Sequence, residues 1–337
     1  MNQASKKVGE QTFSFANPPV IISSAAVVGP KEGEGPLKNY FDHISKDIYF
    51  GQKSWEKAEQ TMLESTLKIA LEKANLEPQD IDCMFAGDLL NQTVSANYTA
   101  RQLSIPFFGL YGACSTMYES MMLGAILVDG GFANYVLAAT SSHYASAEKQ
   151  YRFPTEQGVQ RPLNSQWTVT GSGAVVIANQ GEGPRITYAT VGKVIDLGIK
   201  DTNDMGSAMA PAATDTIIRH LKDTGRSPEY YDLIITGDLA TIGHALTIKL
   251  AEQQKIDLTS NYTDCGILIF HPGQDVHSGG SGCGCCAVVT AGYLMKQLQS
   301  GKYKKILGVG TGALLSPCTV QQGESIPGIG HAVAIEI

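Results

Sequence analysis

The chain is doubled, and that constrains its fold more than any single motif. Residues 71–89 and 221–239 align without a gap, so that Leu71, Pro78, Asp82, Gly87, Asp88 and Leu89 recur as Leu221, Pro228, Asp232, Gly237, Asp238 and Leu239. Each stretch reads as a helix end, a Pro-containing turn, a buried strand and a Gly-Asp loop. A second pair follows in the same order. Gly171–Ile177 matches Gly328–Ile335, each a glycine turn feeding a strand that closes a half. A third pair, residues 117–139 and 286–309, repeats helix, glycine turn and strand. Three matches in one order predict duplication of an α/β unit, with halves at residues 1–180 and 181–337.

The local patterns agree with that reading. Residues 55–76 carry apolar side chains at 58, 62, 63, 67, 70, 71 and 74, the stripe of a helix packed on a sheet. Residues 83–86, 136–139 and 233–235 are continuous apolar runs, as in strands buried on both faces. The expected fold class is therefore α/β, with a mixed sheet between helix layers in each half. Ligands of such folds bind beyond the strand ends. Cys114, the 87–88 and 237–238 loops and the 279–280 turn all fall at predicted strand ends.

Cys114 stands out among them. Residues 107–119 run from a short apolar stretch through a small-residue turn into a long apolar helix, with Cys114 at the junction. Unpaired N–H groups and the helix dipole at such a place favour a thiolate. At 337 residues, 43% hydrophobic and 17% charged, the chain is long enough for two cores, and its net charge of −7 argues against nucleic acid as a partner. No apolar run reaches the length of a membrane span, and residues 1–17 are polar, without the apolar core of a signal peptide. Seven cysteines in that context imply free thiols in a reducing compartment. Cys283, Cys285 and Cys286 lack the spaced second pair of ligands that a closed zinc site needs, so they read as small residues packing a helix start. No metal site and no cofactor are expected.

A duplicated α/β unit with a cysteine opening the central helix of the first half resembles the thiolase superfamily, and Gly112–Ser115 is most similar to ketosynthase III. The glycine run Gly308–Ala313 matches a run near that family's C-terminus, and the resemblance extends from about Val20 to Ile337. It implies a layered αβαβα fold, a reaction chamber at Cys114, and homodimers paired through a sheet edge. In ketosynthase III the cysteine works with a histidine and an asparagine. Here the histidine loop reads Thr236-Gly237-Asp238-Leu239-Ala240, Gly280 stands at the asparagine position, and the second cysteine of degradative thiolases, due near Ile326, is missing. Condensation needs donors that hold the forming enolate and thioester oxygen, and losing one such donor typically costs about 2.7–4 kcal/mol. The expectation is a chamber without condensing chemistry.

The departures are shared by a subgroup of the superfamily found in spore-forming bacteria, which this chain resembles at 87–92, 112–116, 139–143, 168–173 and 205–211. That subgroup is associated with binding dipicolinic acid and moving it into the developing spore. The resemblance implies dipicolinic acid, with or without calcium, as ligand, and stage V sporulation membrane proteins as partners. It also implies a peripheral location on the cytoplasmic side of the forespore inner membrane. The alternative is an acyltransferase or thioesterase using Cys114 as nucleophile.

Candidate ligand-binding residues follow, each beside a structural reading. Asp238 is either a turn or cap aspartate, like its repeat mate Asp88, or a group accepting from a protonated ligand or holding a cation. His143 follows the strand after the Cys114 helix and His331 lies in the last glycine turn; each is a structural histidine or a pocket group, whereas His244 is a poor substitute for the missing base. Arg152 and Arg161 flank an aromatic, Pro/Gly-containing loop and are either surface charges or bidentate carboxylate donors. Gly280 sits in a turn that would expose N–H groups to an anion.

Overall fold

In the computed structural model, which describes residues 6–151 and 161–337, the repeat is visible strand by strand. The first half contributes β1 (Val20–Val28), β2 (Cys83–Gly87), β3 (Phe107–Gly109), β4 (Tyr135–Ser142) and β5 (Gly171–Ala178). The second contributes β6 (Arg185–Thr190), β7 (Leu233–Thr236), β8 (Tyr262–Asp264), β9 (Lys305–Ala313) and β10 (Gly328–Glu336). The first half is ordered β1-β5-β4-β2-β3 and the second β6-β10-β9-β7-β8, so each strand maps onto the one five places later. The pairings match in direction too. β2 is parallel to β3 and β4, as β7 is to β8 and β9; β5 and β10 are antiparallel to both their neighbours. The halves join where Arg185 of β6 pairs with Val20 of β1. Residues 179–184 connect β5 to β6.

The helices repeat as well. α1 (Trp55–Ala74) and, after α2 (Val94–Leu103), α3 (Thr116–Asp129) and α4 (Tyr144–Tyr151) belong to the first half. α5 (Met205–Thr224), α6 (Ala240–Gln253) and α7 (Cys283–Val288) belong to the second. Ser54 caps α1 by accepting from the Lys57 N–H, and Asp204 caps α5 by accepting from the Ser207 N–H. Each helix ends on a left-handed residue, Asn75 (φ 54°) or Gly225 (φ 66°), followed by a 3-10 turn opened by Pro78 or Pro228. Asn75 stops α1 two residues short of the periodic stretch predicted from the sequence, because a left-handed residue cannot continue the helix.

α1 covers the outer face of β1, β4 and β5, and α5 covers β9 and β10. α3 touches strands of both halves and packs beside α7, so these two helices form the middle layer. The result is the five-layer order helices, sheet, helices, sheet, helices. Leu63 and Leu67 of α1 are fully buried in one cluster with Met84 of β2 and Leu137 of β4, and each contributes about 1.5–3 kcal/mol by leaving water.

The glycine run of β9 explains how tightly the middle layer is held. Gly308, Gly310 and Gly312 alternate, so they share one face. A Cβ on Gly308 would lie 2.1 Å from the Tyr118 ring, and one on Gly312 would lie 2.5 Å from the Gly112 carbonyl oxygen. The missing side chains let the second half press against the N-terminal end of α3, where Cys114 sits. The helix expected over 286–299 starts three residues earlier, at Cys283, and passes through a π-helical stretch, Val289–Leu294, before ending as α-helix at Gln299. Thr290 in that stretch meets the buried Tyr118 hydroxyl at 3.0 Å, tying the two central helices together.

Candidate functional site

Cys114 lies in a 3-10 turn, Ala113–Ser115, that runs directly into α3. Ala113 is held at φ 51°, a conformation that costs a non-glycine residue on the order of 1 kcal/mol and turns the chain sharply before the cysteine. Ser115 and Thr116 donate their hydroxyls back to the Gly112 and Ala113 carbonyls, which pins the turn. The thiol borders a small cavity of about 90 Å³. Leu89, Ala147, Met205, Met209 and Leu315 give the cavity its apolar wall, and Glu148, Tyr151, Gln166, Thr168, Asn203 and Ser281 its polar one. Glu148 is the one ionisable carboxyl among the described lining residues, and no Lys, Arg or His lies among them.

Beneath the thiol sits Asp238, fully buried. Its carboxylate accepts from the Thr311 hydroxyl at 2.9 Å, the Gly282 N–H at 2.9 Å and the Ser281 hydroxyl at 3.1 Å, and it is in hydrogen-bonding reach of the Cys114 thiol. Every partner is a donor, which matches an ionised carboxylate, although burial pushes the carboxyl above its ordinary range. Asp238 therefore ties together β9, the turn before α7 and the cysteine turn. Its repeat mate does a different job. Asp88 accepts from the Leu90 and Ala96 N–H groups around the start of α2, and in the second half the corresponding task falls to Asp264, which accepts from the Leu239, Ala240 and Gly266 N–H groups.

Burial and the Asp238 carboxylate together set the state of the cysteine. The sequence predicted a thiolate favoured by the helix N-terminus; instead burial, reinforced by the adjacent carboxylate, drives the thiol well above its ordinary pKa. A partial helix charge cannot outweigh desolvation plus a full negative charge at hydrogen-bond distance. Among the described residues no histidine stands at the thiol to take its proton. His143 is buried between the Ile48 carbonyl, 2.8 Å from Nε2, and the Ala145 N–H, which donates to Nδ1; it caps the start of α4 and is not part of the cavity wall. His331 accepts from the Gly192 N–H, and burial lowers its pKa to about 4; it too lies off the cavity. His244 stacks on Tyr262.

The other expected residues separate in the same way. Arg161 lies over the Trp167 ring and donates to the Asp275 carbonyl, outside the lining, and Arg152 lies outside the described residues. Gly280 pairs with Trp167 in a two-stranded ladder (Gly280–Ser281 with Trp167–Thr168). A Cβ there would lie 2.6 Å from Ile269, so an asparagine could not be accommodated without moving the core. The lining passes instead through the next two residues, Ser281 and Gly282. Of the residues chosen from the sequence, the structure brings Cys114 to the wall with Asp238 behind it. Glu148, Gln166 and Asn203 were not anticipated. They come from three segments with no periodic or motif signal; the nearest cues were the stretches at 168–173 and 205–211, which begin two residues beyond Gln166 and Asn203.

Residues 9–336 match the family described as Stage V sporulation protein AD (SpoVAD). The chain is 51% identical over 331 residues to the Stage V sporulation protein AD of Bacillus subtilis (strain 168), covering 98% of each. Among solved structures it is similar in fold to 3-oxoacyl-[acyl-carrier-protein] synthase III of Aquifex aeolicus VF5, with a TM-score of 0.59 at 17% identity over 95% of this chain and 100% of that one. It is similar also to a variant of Xanthomonas campestris OleA, with a TM-score of 0.63 at 15% identity over 99% of each chain. At those identities the likeness is one of fold, the thiolase-like architecture that the sequence resemblance implied.

Proposed function

The chain belongs to the Stage V sporulation protein AD family, and from that premise and the site geometry we propose that it is a non-condensing sporulation protein whose Cys114 cavity binds dipicolinic acid, alone or as its calcium chelate, and supports its passage into the developing spore. The observation that carries this reading is the Asp238 carboxylate set under the cysteine. Burial, with this carboxylate adding to it, keeps the thiol protonated where a condensing enzyme needs a nucleophile, while the cavity in front stays open. Leu89, Met205, Met209 and Tyr151 offer a flat ring an apolar slot. Asn203 and Thr168 offer donors to carboxylates. The acyl-transfer alternative would need a thiolate beside a carboxylate in a buried site, which the same geometry opposes.

Two further parts of the proposal concern assembly. β3 ends the strand order of the first half, with Phe108 55% exposed and Tyr111 and Tyr98 exposed nearby, so this edge is our candidate for pairing with a second copy into a homodimer. No helix among the described residues is long and apolar enough to cross a membrane. Contact with the forespore inner membrane is therefore proposed to run through stage V sporulation membrane proteins.

Calorimetric titration with dipicolinate tests the ligand. We expect saturable binding near one per chain, abolished by Met209→Trp, which fills the cavity, with benzene-1,3-dicarboxylate much weaker. No saturable binding to the wild-type chain, or binding indifferent to Met209→Trp, would overturn the reading.

A further inference from the structure

Gln166 is held in a way that a ligand would feel. It is 5% exposed and borders the cavity. Its Nε2 donates to the Asp238 carbonyl at 2.6 Å and lies 3.4 Å from the Gly280 carbonyl. Both neighbours are acceptors, so the amide cannot flip: Oε1 turned onto them would bring no proton to share. The orientation leaves Oε1 buried and with no partner among the described residues. Native proteins keep few such atoms, and one at a cavity wall calls for a donor from whatever fills the cavity. Other acceptors and negative charge stand close by among the described residues. Glu148 faces the cavity from α4, and Asp238 stands behind the wall under the Cys114 thiol. Tyr151 gives its hydroxyl proton to the Leu89 carbonyl. Arg161, the described cation close to Gln166 in sequence, is stacked on Trp167 and is not in the lining.

A bare dianion would set carboxylate oxygens against these acceptors. Resting on the reading that the cavity is the dipicolinate site, we propose that it takes its ligand together with one positive charge, a proton or the calcium of the chelate, seated against Oε1 of Gln166. The proton comes from solvent and stays on the ligand, whose N–H or O–H donates to Oε1. The calcium ion uses Oε1 as one of its oxygen ligands, as amide carbonyls commonly serve that ion.

Calorimetry of the full chain in two buffers of different ionisation enthalpy counts the protons taken up. With calcium-free dipicolinate at pH 7.5 the proposal predicts uptake of one proton, and an affinity that falls about tenfold between pH 7 and pH 8. With calcium dipicolinate it predicts no uptake and a flat affinity over that range. Gln166→Leu lowers affinity for the calcium form at least tenfold and abolishes proton uptake with the free form, while Glu148→Gln keeps the uptake. Binding of free dipicolinate by the wild-type chain without proton uptake overturns the proposal, as does uptake that vanishes in Glu148→Gln and survives in Gln166→Leu. If Gln166→Leu does not fold, the wild-type proton count and pH slope decide alone. Failure of the wild-type chain to bind either form overturns the dipicolinate reading itself, and this assignment falls with it.

Discussion

Replacing Asp238 by asparagine should wake the cysteine. In the folded chain the carboxylate accepts from three groups besides the thiol, and the amide of the Asp238→Asn variant can keep accepting only through its Oδ1. One buried donor, the Thr311 hydroxyl or the Gly282 N–H, then faces an amide N–H₂, at a cost of about 1–3 kcal/mol and a few degrees of melting temperature. The variant should still fold. The effect on Cys114 is larger in consequence. A unit charge about 4 Å from a thiolate is worth about 4 kcal/mol at an effective permittivity of roughly 20. Cys114 is partly exposed to the cavity, so solvent screening removes about half of that. The remaining ~2 kcal/mol corresponds to about 1.5 pKa units and to roughly 30-fold more thiolate at a given pH below the pKa. Iodoacetamide alkylation followed by peptide mass spectrometry reads this directly, with the exposed thiol of Cys318 as internal reference. In the wild-type chain Cys114 should react far more slowly than Cys318 at pH 8. In Asp238→Asn its rate should rise at least tenfold while that of Cys318 stays fixed. Equal wild-type rates at the two sites, or a Cys114 rate within twofold of wild type in the variant, would refute the argument.

Three other outcomes follow from the packing and the titrating groups. Gly308→Ala puts a methyl group into the Tyr118 ring and should destabilise the fold by about 1–3 kcal/mol or more, read as a lower melting temperature by circular dichroism. Burial raises the pKa of Glu32 from 4.5 to about 7, so the folded chain keeps a proton that the unfolded chain gives up near 4.5. That contribution to stability is complete below pH 4.5 and is lost as pH rises towards 7, by about 1.4 kcal/mol per unit. Glu32→Gln should remove this slope in melting curves between pH 5 and pH 7. His143→Ala and Arg161→Ala should leave dipicolinate affinity within twofold, because neither side chain reaches the cavity wall, while His143→Ala lowers the melting temperature by orphaning the Ile48 carbonyl and the Ala145 N–H.

The architecture was legible because its signals are periodic and local. The runs at 83–86, 136–139 and 233–235 are apolar on both faces because their strands are covered on both faces, and Pro78 and Pro228 mark the same turn in each half. Cys114 was legible for the same reason, since a small-residue turn before an apolar helix is a short-range pattern. The cavity was not. Glu148, Gln166, Asn203 and Ser281 lie far apart in sequence and meet only when the two halves close around α3 and α7. Asp238 shows the limit of reasoning from a repeat. Its mate Asp88 holds backbone N–H groups, but the turn before α7 and Thr311 on β9 supply Asp238 with different donors, so equal position did not mean equal role. His143 and His331 had no local mark distinguishing a capping or buried imidazole from one that faces a ligand.

On the proposed reading, the Cys114 cavity holds dipicolinate without transforming it. The most direct measurement is to saturate the purified chain with isotopically labelled dipicolinate, recover the ligand after denaturation, and weigh both by mass spectrometry. The account predicts near-stoichiometric recovery of unchanged ligand and a protein mass equal to that of the untreated chain. A covalent adduct on Cys114, a chemically altered ligand, or no retained ligand at saturating concentration would contradict it.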